Sequence, residues 1–196
     1  IVRGLDVNRV GIVENGMGSN GASDLGEDHF VPIDPLSTNQ VEVIRGPATL
    51  RYGSQAIGGV VSASNNRIPD ALPCSAMPTM QTYGYNVKAP QLAASNPCVS
   101  FETRAALSSV DLGREGAVLL DAGGNNFAIH ADAFARKTED YRIPGGTQKN
   151  TATDSNGASV GGSYIFTGGF VGAAISQNNS VYHIPGIEGE AVGTRL

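Results

Sequence analysis

The segment from Gln40 to Val61 constrains this chain more than any other. Gln40-Val41-Glu42-Val43-Ile44 is rich in β-branched residues and reads as a strand. Arg45-Gly46-Pro47 then interrupts it. Gly46 allows a backbone conformation denied to other residues. Pro47 suits the first position of a helix, where a missing N–H loses no partner. Ala48, Leu50 and Ala56 favour a short helix, and Gly53 is a stop signal. Gly58-Gly59 permits a sharp turn or close backbone approach before Val60-Val61 resumes as strand. On local physics alone, a soluble α/β protein could also use such a strand–turn–strand unit.

Of the 196 residues, 26 are glycine, 16% are charged and none is tryptophan, which suits a β-rich chain with many turns. No run of about 18 apolar residues is present, so no transmembrane helix is expected. Membrane β-strands, whose apolar and polar residues alternate, remain compatible with the sequence. The net charge of −5 and the lack of a basic patch with interleaved aromatics argue against nucleic acid as a partner. Cys74 and Cys98 flank a polar, Pro-containing stretch. A disulfide closing this loop fits an oxidising periplasm or cell surface; two free buried thiols are the alternative. Their spacing is not that of a metal site. No nucleophile–base arrangement, paired catalytic carboxylates or phosphate-cradling loop stands out, and Gly16-Met17-Gly18 is too short for a dinucleotide fingerprint. No enzyme is expected.

Residues 1–66 read as one unit. Ile1–Leu5 and Arg9–Glu14 are expected as short strands, Asn15-Gly16 as a turn, 17–28 as a loop, and Asp34-Pro35-Leu36-Ser37 as the start of a short helical segment. Residues 67–98, with Pro69, Pro73, Pro78, Pro90 and Pro97, read as a linker. In 99–196 about five strands follow. Phe127, Ile129, Ala131, Ala133 and Ala135 share one face of a strand, and Ala128, His130, Asp132, Phe134 and Arg136 share the other. Short turns are expected at 123–126 and 167–169, with longer loops from Tyr141 to Gly157 and after Tyr182. A soluble antiparallel sandwich is the alternative for this part.

The run from Val41 through Arg45-Gly46-Pro47 and Tyr52-Gly53 to Gly58-Gly59 resembles the end of the plug domain of TonB-dependent outer-membrane receptors. Arg3-Gly4, Val10–Gly16 and Ile33–Leu36 look like plug features too. The resemblance implies an α+β plug domain followed by part of an antiparallel transmembrane β-barrel, of which about 22 strands would complete the wall. It implies a fragment of a larger protein in a Gram-negative outer membrane, contacting lipid and energised by the TonB complex through a segment before Ile1. On the membrane-barrel rule, the short turns are periplasmic and the longer loops face outside. Arg45, Arg51 and Tyr52 are expected to be structural, with Arg45 pairing with barrel carboxylates. His130, Asp132 and Arg136 are expected to point into the lumen, as polar packing against the plug or water.

For cargo, Asp28-His29 resembles an Asp-His pair in the plug loop of the zinc-uptake branch of these receptors. Glu139–Pro144, Gly169–Ala174 and Tyr182–Gly186 look like early-barrel segments of that branch, although its dense histidine cluster is missing. Imidazole beside carboxylates suits zinc. The resemblance therefore implies Glu27, Asp28 and His29, with His183, Glu188 and Glu190 in an outer loop, as metal ligands. Zinc would be a transported ligand, with no resident cofactor. A siderophore or haem is the alternative cargo, and a non-transporting surface-recognition barrel the alternative function.

Overall fold

The computed structural model describes residues 9–18, 33–53, 56–73, 98–183 and 191–195. The first sheet contains β1 (Val10–Glu14), β2 (Met17–Gly18), β3 (Gln40–Ile44) and β4 (Gly59–Ser64), in the order β2-β1-β4-β3. Asn15 and Gly16 join β1 to β2 with φ of 50° and 81°, as a two-residue hairpin turn requires. β1 runs parallel to β4, with Val10 opposite Gly59, and β3 is antiparallel to β4. Between β3 and β4 lies a 3-10 helix, Gly46–Tyr52, with Pro47 in its first turn. Gly46 (φ 79°) enters it and Gly53 (φ 98°) ends it, the positions anticipated for these glycines. Val13, Ala56 and Val60, with Ile44 against them, form the small apolar core.

Two local expectations are corrected. Met17–Gly18 is strand, and the segment from Asp34 is a turn. Asp34 Oδ2 accepts the N–H of Ser37 at 2.8 Å, and its carbonyl accepts the Thr38 hydroxyl at 2.6 Å. These local bonds offer the backbone an alternative to a helix. Ile1–Leu5 and the loop 19–28 lie outside the described residues.

The second sheet is an antiparallel meander. Its strands are β5 (Cys98–Leu107), β6 (Arg114–Gly124), β7 (Phe127–Thr138), β10 (Thr153–Phe166), β11 (Gly169–His183) and β12 (Ala191–Arg195), in the order β12-β11-β10-β7-β6-β5. A small hairpin, β8 (Arg142–Ile143) with β9 (Gly146–Thr147), stands between β7 and β10. The sheet is open, with β5 and β12 at its edges. Short turns at Asn125-Asn126 and Thr167-Gly168 lie at one end, and the 108–113 and 139–152 connections lie at the other.

β10 begins at Thr153, so the loop expected to reach Gly157 ends earlier. Asp154-Ser155-Asn156-Gly157 is polar yet extended. Ser155 bonds Ser180 on the neighbouring strand at 2.7 Å. The ring of Phe134 occupies the space a side chain at Gly157 would need, its Cε1 being 2.5 Å from such a Cβ.

The two faces of this sheet are inverted relative to a soluble protein. His130, Asp132, Ser155, Ser159, Ser163 and Ser180 are buried, whereas Phe101, Ile129, Val160, Val171 and Ile175 are exposed. Register aligns the exposed face in rows. Val171, Tyr164, Phe127 and Gly124 form a row at the turn end. The middle row is Ile175, Val160, Ala131, Leu120 and Phe101. The row nearest the loop end is Val181, Asp154, Lys137, Arg114 and Leu107.

Candidate functional site

Asp121, His130, Asp132 and Arg136 of the second sheet converge on its buried face, where the first sheet and the residues after it are seated. β4 delivers the chain at Ser64 into Asn65-Asn66-Arg67, which crosses onto β6, β7 and β10. Arg67 Nη1 donates to Glu14 Oε1 of β1 at 2.7 Å, and Asn65 Nδ2 donates to the same oxygen at 2.8 Å. Arg67 Nε donates to Ser159 Oγ at 3.0 Å and lies 3.4 Å from Asp132 Oδ2. Ser159 in turn donates to Asp132. His130, 1% exposed, stands between two carboxylates, with Nδ1 2.8 Å from Asp121 Oδ1 and Nε2 3.3 Å from Asp132 Oδ2. Asn66 Nδ2 donates to Asp121 Oδ1 at 2.6 Å. A single guanidinium thus joins a carboxylate of the small sheet to one of the large sheet. Asp121, His130 and Asn66 lie beside it.

A second group lies nearer the loop end. Arg104 Nη1 donates to the carbonyls of Leu36 (2.6 Å) and Thr38 (3.1 Å). Arg136 bonds Glu115 and has Nη2 3.4 Å from Asp34 Oδ1. Burial pushes the Asp34 carboxyl above its ordinary range, against the pull of the Ser37 N–H and of Arg136.

Glycines on the large sheet let the crossing segment approach. A Cβ at Gly161 would lie 1.8 Å from the Arg67 carbonyl oxygen, one at Gly172 2.7 Å from Ile68 Cγ2, and one at Gly123 2.6 Å from Pro73 Cδ. Leu72 is buried with Ala128 and Ile165. The seam is therefore mixed: charge at Arg67, close backbone contact over glycine, and a small apolar anchor at Leu72.

His130, Asp132 and Arg136 face the small sheet, as anticipated. The cation expected at Arg45 is instead supplied by Arg67. Arg45 is exposed and has no ion-pair partner among the described residues. Arg67 opens the stretch that reads as a linker, and nothing local in the sequence marks it as an ion-pair partner. The signal available was the acidic pair Asp121 and Asp132 on a face destined for burial, which demands a cation from elsewhere.

Of the expected metal ligands, Glu27, Asp28, His29, Glu188 and Glu190 lie outside the described residues. His183 sits at the end of β11, half-buried, with Nδ1 3.2 Å from the Ala152 carbonyl oxygen. Among the described residues no group of three or more His, Cys, Asp or Glu could hold a metal ion. The Cys74–Cys98 pairing likewise falls outside what is described.

Residues 1–60 match the family described as TonB-dependent Receptor Plug Domain. The chain is 47% identical over 47 residues to a protein named ferric enterobactin receptor PirA of Pseudomonas aeruginosa, covering 24% of this chain and 6% of that one. It is 38% identical over 66 residues to a hemin receptor of Yersinia enterocolitica, covering 31% of this chain and 10% of that one. The matches thus span a small part of each relative's length. Neither name mentions zinc, and the zinc-uptake branch draws no support from these relatives.

Proposed function

We propose that this chain, whose residues 1–60 match the TonB-dependent receptor plug domain, is a piece of an outer-membrane receptor that imports an iron chelate, a ferric siderophore or haem. In this reading residues 1–66 are the end of the plug, the Pro-containing stretch after them is the connection, and the six-stranded sheet is the first part of the barrel wall. The longer connections at the loop end face outside, and the plug reaches the periplasmic side, where TonB acts.

The observation that carries the reading is the inverted sheet, with its polar face closed by the plug through Arg67 and its apolar face open. Lipid is the solvent that an open apolar face and a polar interior require. An ion-paired, glycine-lined seam also suits a plug that must shift to let cargo pass. Its charged groups can exchange a protein partner for water more readily than a dry apolar core exposes itself. The iron-chelate cargo is supported by the two relatives' names. Zinc rests only on the Glu27-Asp28-His29 motif and the outer-loop acids, and stands second.

Growth under iron limitation tests this. Cells producing the full-length receptor, in a host lacking its own iron-chelate receptors, are supplied with ferric enterobactin, haem or zinc as the limiting nutrient. Receptor-dependent, TonB-dependent growth on one of the iron chelates is expected. Growth that responds to the receptor only under zinc limitation would overturn the cargo, and no response to any of the three would overturn transport.

A further inference from the structure

The outward face of the large sheet changes character abruptly at its loop end. Going up β7, the outward residues are Phe127, Ile129, Ala131, Ala133 and Ala135, and then Lys137. Lys137 is opposite Arg114 on β6 and Asp154 on β10, and all three are exposed. The Lys137 Nζ is 3.5 Å from Asp154 Oδ2, whereas Arg114 has no ion-pair partner among the described residues. One row below, Gly116, Ala135 and Asn156 leave a shallow depression between these charges. Asn156 Oδ1 accepts a bond from Asn179 at 3.3 Å, so the Asn156 amide presents its N–H groups.

The height of this row is fixed by the opposite edge of the apolar band. Phe127, Tyr164 and Phe166 form an outward aromatic cluster at the turn end, with ring centroids 5.1 Å and 6.4 Å apart. From Phe127 to Lys137 the strand climbs about 33 Å at about 3.3 Å per residue. A tilt of about 40° reduces this to roughly 25 Å along the membrane normal, the usual height of the apolar band of such barrels. The aromatic row and the basic row therefore mark its two margins.

We infer that Arg114 and Lys137, with the Asn156 amide, bind the phosphate of an anionic lipid headgroup in the outer leaflet, whose acyl chains lie on Val118, Leu120 and Ala133 below. This rests on the reading of the large sheet as a lipid-facing wall. The occupant is a lipid because the cations continue an apolar face that only acyl chains would cover. Its headgroup is anionic because the outward cations Arg114 and Lys137 outnumber the outward carboxylate of Asp154, and Glu115, which also lines the depression, is already paired with Arg136. Asp154 holds the Lys137 ammonium beside the depression.

The test uses the full-length receptor in neutral detergent, titrated separately with a bis-phosphorylated lipid A, phosphatidylglycerol or inorganic phosphate, with bound molecules counted by native mass spectrometry. Binding of one or both lipids is expected, about tenfold weaker in the double variant Arg114→Gln/Lys137→Gln and unchanged in Lys149→Gln. The two lipid arms separate lipid A from glycerophospholipid. Equal lipid binding by wild type and double variant overturns the inference, as does binding of inorganic phosphate alone. A fluorophore placed at Ile129→Cys is read in parallel against brominated acyl chains. Quenching there with no effect of the double variant defeats this inference only. Absence of quenching defeats the wall reading, and the inference with it.

Discussion

Arg67 and Asp132 lie 65 residues apart in sequence and 3.4 Å apart in space, with the Asp132 side chain fully buried and that of Arg67 14% exposed. Breaking a buried pair by removing one partner typically costs about 3–5 kcal/mol, because the other charge is left uncompensated. Here His130 also faces Asp132, so Arg67→Ala is expected toward the lower end. The double variant Arg67→Ala/Asp132→Ala is expected to lose less than the sum of the single variants, by roughly 1–3 kcal/mol. Denaturant unfolding of the full-length receptor in lipid vesicles measures the cycle, and additive losses would show that the two residues do not act together.

The glycine track gives an independent handle on the same seam. Gly161→Ala places a methyl group 1.8 Å from the Arg67 carbonyl oxygen, whereas the nearest atom to a Cβ at Gly116 is 3.6 Å away. Overpacking of this kind costs about 1–3 kcal/mol. Gly161→Ala is expected to loosen the crossing segment and speed proteolysis near Arg67, while Gly116→Ala leaves cleavage unchanged.

On the proposed reading of the large sheet as a membrane wall, depth sets the third expectation. Leu120 is outward in the middle row, and Asp154 is outward in the row at the loop end. Arginine on the lipid face costs about 2–4 kcal/mol at the midplane and about 0–1 kcal/mol near an interface. Leu120→Arg is therefore expected to impair insertion of the full-length receptor into vesicles, and Asp154→Arg to insert normally. Equal insertion of the two would remove the assigned depth.

The 139–152 connection is held by Asp140, whose Oδ1 accepts the N–H of Thr151 at 2.8 Å and of Ala152 at 3.1 Å. The Thr151 N–H bond leads the causes that lower the Asp140 carboxyl below its ordinary value of 3.8. A lowered carboxyl favours the folded loop above that value and loses the effect as pH falls through the folded pKa. The protection factor of the Thr151 amide, its exchange rate taken relative to an unstructured peptide at the same pH, should fall on acidification in the wild type. In Asp140→Asn that protection factor should be low and should not change as the pH falls.

Much of this was legible because the signals are local. The turn at Asn15-Gly16, the glycines bracketing the 3-10 helix and the two faces of β7 each follow from residue type and period. The Asp154–Gly157 run was misread because polar residues and glycine mark loops in water. In this sheet the outward side of that stretch lies at the edge of the apolar band, and Gly157 serves the Phe134 ring. The ion pairs of Arg67 were not legible, because its partners, Glu14 and Asp132, come from strands far away on either side. Nothing in the neighbouring residues distinguishes it from a linker arginine.

The central claim, that the large sheet is a membrane wall whose apolar face meets lipid and whose polar face meets the plug, is tested most directly by a single-cysteine scan of β7 in the full-length receptor. Each residue from Phe127 to Lys137 is replaced in turn, spin-labelled in bilayers, and read for collision with lipid-soluble oxygen. The account predicts high accessibility at Phe127, Ile129, Ala131, Ala133 and Ala135 and low accessibility at Ala128, His130, Asp132, Phe134 and Arg136. An accessibility profile without that two-residue period, or one in which water-soluble reagents alone reach Ile129 and Ala131, would contradict it.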